Sequence, residues 1–565
     1  MADVRPDLFL TREERDNPDT RIDAHLEGGA AWSLGNHVRP LVHGRPYFAE
    51  LHERITEMGA GDLIFFVDWR GDPDQQLTDD PASTVSATFA AAARRGVDVR
   101  GLLWRSHWRH LGFHSEKHRY LGQDIEEAGG QCLRDMRVRT AGSHHQKFVV
   151  LRHGDDPSRD IAYLGGIDLC HSRRDDIEHH GDRQVGADMP RVFGARPAWH
   201  DVHCAIQGPA VHDVETVFRE RWDDSTPLTL NPGRLLSSLS QGEDLVPRPL
   251  PEQAPPPPSP DEACEAVQIL RTYPAILPKG YDFAPNGERS VAAGNAKAVR
   301  HARRLIYLED QYLWSEEVGR HFGNALRDNP ELRLIAVIPI VPDVDGPFTA
   351  PAELYGRKLA MDLLLEAGGD RVAVYGLTNE AGYPVYVHSK VCVIDDVWTS
   401  VGSDNFNRRS WTSDSEIAAA VQDVRVESRE GSAPPDAFAL RMRRELVAEH
   451  VGLRPEDVPD DPQAVWDLMA ASADALDEWY AAGGALRRRR HLPHPPHLPA
   501  PRAGGAVHWR RRHSRAAVGA EGVERPPGRL RRVAPPQFSR LQLLWASRVY
   551  GVVDPDGTLG RDDEI

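Results

Sequence analysis

Apolar runs recur along the chain in the same order, once in each half. Leu63-Ile64-Phe65-Phe66-Val67 and Leu305-Ile306-Tyr307-Leu308 are short runs closed by an acid, Asp68 and Asp310, and read as buried strands. Each leads to helix-patterned sequence, 86–95 and 317–327, and then to a second apolar run, 97–104 and 332–340. Runs this continuous are covered on both faces, as parallel strands are, so each half predicts an α/β unit. Two more short apolar stretches, 161–164 and 398–401, precede the small-residue turns Gly165-Gly166-Ile167-Asp168 and Gly402-Ser403-Asp404-Asn405. Glycine in such a turn permits close approach of backbone to a bound group. Order and spacing together imply duplicated supersecondary units.

Breaks in this pattern predict the boundaries. An extension, 1–34, precedes a first half, 35–245; the Pro-rich 246–262 is a semi-rigid linker to a second half, 263–452. A helical segment, 453–486, follows, and 487–532 reads as a basic, low-complexity stretch expected to be disordered, before a tail, 533–565. The apolar run from Leu334 to Val341 is interrupted by Pro339 and falls far short of the roughly 20 residues of a membrane span, so no transmembrane segment is expected. The N-terminal residues lack the apolar core of a leader peptide. The five scattered cysteines, 132, 170, 204, 264 and 392, fit neither a disulfide framework nor a zinc site. Together these features predict a cytoplasmic protein, peripheral at most to a membrane.

The chain has 565 residues and a formal charge of −17. Thirteen Arg against two Glu in 487–532 contribute +11, which leaves −28 over the rest. A body this acidic is a poor host for a nucleic acid, whose phosphates need a basic footprint.

Against that background the lysines stand out. Only six of the 68 basic residues are Lys, and two of them lie two places after a histidine: His145-Gln146-Lys147 and His388-Ser389-Lys390. Composition alone predicts about 0.3 such pairs in a chain of this make-up. Both occur at equivalent places of the repeat, 77 and 78 residues after Asp68 and Asp310. On a strand, positions i and i+2 project to one face, so each His would point with its Lys. An ammonium is a compact point charge suited to a single phosphoryl oxygen.

With these motifs the sequence resembles the phospholipase D superfamily, whose members carry two His-x-Lys-(four residues)-Asp motifs. The second motif is complete, with His388, Lys390, Asp395, the Gly402-Ser403-Asp404-Asn405 turn and Glu416; the first keeps His145 and Lys147 but has Arg152 in the aspartate position. Gly165 to Leu169, Trp199-His200-Asp201-Val202, Gly208-Pro209-Ala210, Arg271 to Pro274 and Ile306 to Tyr312 extend the likeness, to eukaryotic-type members in particular, over roughly Gly35 to Gly452.

The resemblance implies two similar α/β/α sandwich domains with mixed, largely parallel sheets, related by a pseudo-twofold axis, with the active site at their interface. It implies a phosphodiesterase that hydrolyses glycerophospholipids to phosphatidic acid and a head-group alcohol through a covalent phosphohistidine, with transphosphatidylation sharing the site. Other readings are a cardiolipin-synthase-like phosphatidyltransferase, a nuclease-type phosphodiesterase and a non-catalytic lipid-binding protein. By the family pattern His145 is the nucleophile and His388 the acid/base, although the residues themselves do not order them. Lys147 and Lys390 would hold the phosphoryl oxygens. Each ring needs a carboxylate to fix its tautomer, and the family logic takes these from opposite halves: Glu416 for His145 and Asp175 for His388. Asp395 is expected to orient neighbours, and Asp168, Asn405, Ser403 and Gly166 to border the phosphate. Trp69, Trp199, Tyr312 and Trp314 are expected near the motifs as pocket or core. The chemistry calls for no metal or cofactor. The partner is a phospholipid at a membrane surface, and one chain supplies both motifs.

Overall fold

The computed structural model describes residues 4–106, 115–184, 189–229, 231–240, 243–276, 279–343, 349–425, 434–482 and 524–553. In the first half the strands are β1 (Ser33–Val42), β2 (Leu63–Asp68), β3 (Asp98–Trp104), β4 (Gln131–Asp135), β5 (Phe148–Arg152), β6 (Ile161–Gly165), β7 (Ala198–His200) and β8 (Val202–Gln207). All but β7 form one sheet in the order β4-β3-β2-β5-β6-β8-β1, with β2, β3 and β4 parallel and the other pairings antiparallel.

The second half repeats this. Its strands are β9 (Glu265–Tyr273), β10 (Glu288–Arg289), β11 (Leu305–Glu309), β12 (Arg333–Val337), β13 (Val372–Thr378), β14 (Pro384–Val387), β15 (Val391–Ile394), β16 (Trp398–Gly402) and β17 (Glu416–Asp423). The sheet order is β13-β12-β11-β15-β16-β17-β9, again with a three-stranded parallel part and antiparallel remainder.

The alternation along single strands sets the layers. Ile64 and Phe66 of β2 point to one apolar cluster, with Phe48, Leu51, Phe89 and Leu121 from outer helices, while Phe65 and Val67 point to another. In β11, Ile306 and Leu308 face the outer helices of the second half, and Leu305 and Tyr307 turn inward. The inward residues of both sheets share one core with the helices Ala210–Trp222 and Phe438–Val451. Strand β1 also touches β9, through Ser33↔Val267 and Asn36↔Glu265, and so stitches the two sheets.

Segments outside the repeat are built into this body. Leu8, Phe9 and Leu10 are buried against the second half. The Pro-rich 246–262 runs over the first half without regular structure, its carbonyls serving as acceptors: Trp222 Nε1 donates to Arg248 O at 2.9 Å and Arg219 Nη1 to Pro251 O at 2.6 Å. The expected disorder of 487–532 is corrected at its end. Leu530–Arg532 forms β18, which pairs antiparallel with the free edge of β13, and Arg529 donates to Glu449 O at 2.9 Å and Ile177 O at 2.7 Å. An open strand edge attracts such pairing, and each guanidinium there finds a carbonyl or acid. Residues 487–523 lie outside the described residues. Among the described residues no helix is long and apolar enough to cross a membrane.

Arg152, in the aspartate position of the first motif, is buried and paired with Asp160 and Glu215, at 2.9 Å each, and donates to Pro255 O of the linker at 2.8 Å. Its substitution by Ala leaves Glu215 only Arg219, at 2.6 Å, and Asp160 only the amide of His153 and its ring, and is expected to destabilise the fold by about 3 kcal/mol. Arg152→Asp, which restores the usual motif, is expected to lower the melting temperature at least as far, because it adds a third acid to the cluster. Thermal denaturation of both variants checks this.

Candidate active site

Both His-x-Lys pairs lie immediately before a strand, β5 or β15, rather than inside the ladder. Each chain segment is held there by a parallel bridge to the opposite half. On one side β14 pairs with β7, Val387 opposite His200, and His388 N donates to His200 O at 2.8 Å. On the other, His144 bridges Ser415, and His145 N donates to Ser415 O at 2.9 Å. One residue further along each bridge, a histidine meets a carboxylate. His145 Nδ1 lies 3.0 Å from both oxygens of Glu416, and His388 Nδ1 lies 2.7 Å from Asp201 Oδ2.

The expected Glu416 partner is therefore at His145, but Asp175 is not at His388. Asp175 caps backbone instead, accepting from Trp199 N at 2.8 Å and from Asp176 N and Gly181 N at 3.0 Å each. It thereby steadies the strand that carries Asp201. Strand register shows why Asp201 is the counterpart of Glu416: Gly165 pairs with His203 as Gly402 pairs with Ala418, and each acid lies two residues earlier. Glu416 follows Gly402 by 14 residues, whereas Asp201 follows Gly165 by 36. The long excursion hides the equivalence, although the acid at the start of the next apolar run, Asp201-Val202, was a usable signal.

The small-residue turns serve these carboxylates. A Cβ at Gly166 would sit 2.1 Å from Asp201 Oδ1 and 3.2 Å from His388 O, so no larger residue fits. The matching Ser403 donates its hydroxyl to Glu416 Oε2 at 2.5 Å. Asp168 is less open than a phosphate-bordering residue would be, since Lys147 Nζ and Arg173 Nη2 approach it to 3.5 and 3.3 Å. Its counterpart Asn405 is buried, and its Oδ1 has no hydrogen-bond partner among the described residues. Asp395 is remote from the chemistry. It accepts from the amides of Arg303, Arg304 and Leu305 at 2.7, 2.8 and 2.9 Å and ties the end of β15 to β11, so what this member of the second motif orients is backbone and not a reacting group.

The lysines reach back over their own segments. Lys147 Nζ donates to His145 O at 2.9 Å; Lys390 Nζ donates to His388 O and, at 3.0 Å, to Gln311 Oε1. Lys147 has an acid in Asp168, whereas the hydrogen bonds of Lys390 go to neutral oxygens. Burial brings the Lys390 ammonium down to about 8. Burial, with the two ammonium charges, holds both His145 and His388 well below the usual imidazole range; Arg173 adds to the effect on His388. Each ring feels both lysines, which places the four groups in one electrostatic field. Burial raises Glu416 to about 7.

Aromatic rings border each side. Trp69 stands edge-on to His145 at 6.1 Å, with Lys147 Nζ 5.9 Å over its face, and Trp199 lies 5.0 Å from His388 with the Arg173 guanidinium 4.0 Å over it. Tyr312 and Trp314 pack on each other at 3.9 Å, and Gln311 Nε2 donates to the hydroxyls of Tyr312 and Tyr386 at 2.8 and 2.7 Å.

Among the described residues, three groups bring enough donor atoms together for a cation: His43, His179, His200 and Glu449; His200, Glu309 and His450; and Cys264, Glu265 and Asp423. In the first two the carboxylates already lie 2.7–3.1 Å from the imidazole nitrogens. A carboxylate with that many donors is satisfied without an ion.

Fold and site together define a two-lobed α/β protein with a duplicated His–Lys–carboxylate centre at the lobe interface. Residues 58–336 match the family described as phospholipase D, and residues 340–429 match the cardiolipin synthase, PLD-like domain. The chain belongs to the phospholipase D superfamily. Its curated relatives include phospholipase D alpha 3 of Arabidopsis thaliana, 26% identical over 77% of this chain and 66% of the relative, and phospholipase D beta 2 of the same plant, 26% identical over 84% and 64%. The chain thus spans a little under two thirds of the length of either. Among solved structures, phosphatidylserine synthase of Haemophilus influenzae aligns with a TM-score of 0.46 at 12% identity, over 72% of this chain and 87% of that one.

Asp201→Asn and Glu416→Gln keep shape but remove the charge that sets each imidazole tautomer. Each is expected to lower turnover by about 10²–10⁴-fold with little change in KM, whereas Asp395→Asn is expected to lower the melting temperature and leave turnover within about threefold. Steady-state kinetics beside thermal denaturation separates the two outcomes.

Proposed function

We propose that the protein is a phosphodiesterase that hydrolyses glycerophospholipids to phosphatidic acid and a head-group alcohol by way of a phosphohistidine. The observation that supports this reading is the crossed pairing itself. Each His-x-Lys pair has a carboxylate from the other half on its Nδ1, which leaves the opposite nitrogen of each ring for chemistry.

In this reading the phosphodiester oxygens replace neutral partners around Lys390. His145, held neutral by burial, attacks phosphorus through Nε2. The P–O bond to the head group breaks, and His388 passes its proton to the leaving oxygen; the anionic phosphate favours that protonated state. Water then attacks the phosphorus of the intermediate, His388 takes its proton, and the P–N bond breaks. The lysines stabilise the charge that gathers on the equatorial oxygens. A primary alcohol in place of water gives the transfer product from the same intermediate, and the likeness of 340–429 to a cardiolipin synthase domain favours including that branch. The acidic body disfavours a nucleic-acid substrate, and the two complete pairs disfavour a binding-only role.

Phosphatidylcholine and phosphatidylethanolamine, with and without a primary alcohol, test the reading. His145→Ala and His388→Ala are each expected to reduce head-group release and phosphatidyl-alcohol at least about 10³-fold. Turnover surviving in either variant would overturn the covalent route.

The pH profile follows from two groups. Glu416 must be ionised to orient His145, so activity is lost as pH falls through about 7; Lys390 must be charged, so activity is lost as pH rises through about 8. A narrow bell is expected in kcat, which reports the complex in which the anionic phosphate holds His388 protonated, and in Glu416→Gln the residual activity should lack the acid limb.

A further inference from the structure

Arg173 is buried, 6% exposed, and touches both sides of the site. On the His145 side its Nη2 lies 3.3 Å from one oxygen of Asp168, whose other oxygen is 3.5 Å from Lys147 Nζ. On the His388 side the guanidinium carbon sits 4.0 Å over Trp199, and that ring is 5.0 Å from the imidazole of His388. After burial and Lys390, the Arg173 charge is what holds His388 below the usual imidazole range.

The chain goes to some cost to place this side chain. Ser172, just before it, has a left-handed backbone with φ 72°, a strained conformation for a residue other than glycine. A Cβ at Gly44 would be 2.0 Å from Arg173 O, so the helix Gly44–Glu57 starts directly against this turn. Asp175 donates its amide to Arg173 O at 2.9 Å and accepts from Trp199 N at 2.8 Å. One residue thus holds both the guanidinium and the ring it stacks on.

So carefully placed, the guanidinium is nevertheless poorly satisfied. Its hydrogen bonds, from Nη2 to Asp168 Oδ2 and from Nη1 to His171 O, are 3.3 and 3.4 Å long, and the buried Nε has no hydrogen-bond partner among the described residues. Arg221, a fastener in the same half, meets an acceptor with each of its three nitrogens at 2.7, 2.8 and 2.9 Å. Such bonds ordinarily run from roughly 2.7 to 3.2 Å, and a buried donor left unpaired is costly. Arg173 therefore has donors to give to an anion that enters beside it, and its planar fork fits phosphoryl oxygens.

The charges around the motifs call for such a group. Glu416 and Asp201 each face an imidazole and offset the positive charge that ring acquires in the reaction. Asp168 instead offsets an ammonium, Lys147, while its counterpart in the second half is the neutral Asn405. The two lysines against Asp168 leave a single net positive charge, enough for the single negative charge of a phosphodiester. When neutral His145 forms its bond to phosphorus, the ring becomes cationic and the equatorial oxygens gain nearly a second negative charge. Arg173 supplies the cation that balances it.

We propose that Arg173 donates to an equatorial phosphoryl oxygen, its charge matched to the transition state rather than to the bound diester. The inference rests on the phosphodiesterase reading of the site and adds a third cation to the two lysines.

The test compares wild type with Arg173→Gln, Arg173→Lys and His145→Ala. Head-group release from a monomeric short-chain phosphatidylcholine gives kcat and KM. Calorimetric titration with orthovanadate, whose five-coordinate adducts resemble the transition state, gives affinity without turnover. Arg173→Gln is expected to lower kcat by about 10²–10³-fold with KM within about threefold, and to weaken orthovanadate binding by at least about tenfold, as His145→Ala does. Arg173→Lys keeps the charge but neither the fork nor the stack on Trp199, and should recover at least about tenfold of the lost kcat. A side chain that merely props Trp199 and Asp168 is served no better by Lys than by Gln, so equal losses in the two variants would overturn the proposal. So would orthovanadate affinity at the wild-type level in Arg173→Gln. Affinity lost in Arg173→Gln but kept in His145→Ala also overturns it, since the anion then binds away from the reacting ring. Wild-type protein that binds orthovanadate through Arg173 and His145 but releases no head group would uphold Arg173 as a phosphoryl ligand and reject the phospholipase reading.

Discussion

Two short parallel bridges between the halves decide what the rest of the molecule can do. A partner on Nδ1 fixes the histidine tautomer that leaves Nε2 for chemistry, and here each partner comes from the other half of the chain. Val387 opposite His200 places His388 on Asp201, and His144 opposite Ser415 places His145 on Glu416. Neither half alone supplies the carboxylate for its own His-x-Lys pair. The shared core between the sheets, the β1 stitch to β9 and the strapped linker all hold the halves in the register these bridges require.

Behind the His388 bridge lies a second constraint. Glu309 meets His200, His450, Tyr307 and Ser389 within 2.8 Å, and Glu449 meets His43, His179 and His200 within 3.1 Å. Burial alone would discharge both acids, but the surrounding imidazoles bring Glu449 well below the usual carboxylate range, and Glu309 and Glu449 in turn push His200 well above the usual imidazole range. The residue before Asp201 is thereby gripped on both ring nitrogens, and the residue after His388 is anchored to the same carboxylate cluster. Buried charges are tolerated here because each is paired several times over.

The same logic separates the lysines from the arginines. Buried arginines such as Arg152, Arg221 and Arg271 sit in forks of two or more acceptors and act as fasteners. Lys390 is a buried ammonium whose hydrogen bonds end on neutral oxygens, which is the condition in which an incoming anion gains most.

Much of this was legible in the chain. Recurring continuous apolar runs predicted the duplicated α/β halves, and the paired His-x-Lys spacing singled out His145, Lys147, His388 and Lys390, because period and composition are local properties. Glu416 was found through the completeness of the second motif. Asp201 was not, since a 36-residue excursion separates it from Gly165 and only strand register makes it the equivalent of Glu416. Asp395 stood out as the last member of the second motif and Asp175 as the expected partner of His388, yet in the folded chain both accept from backbone amides. The arginines of 529–532 looked like disordered tail, and a free edge on β13 with nearby carbonyls and acids recruits them. Residue type and spacing determined which chemistry the protein carries; which carboxylate meets which ring was decided only by tertiary structure, because that contact forms across the two halves and no local pattern records it.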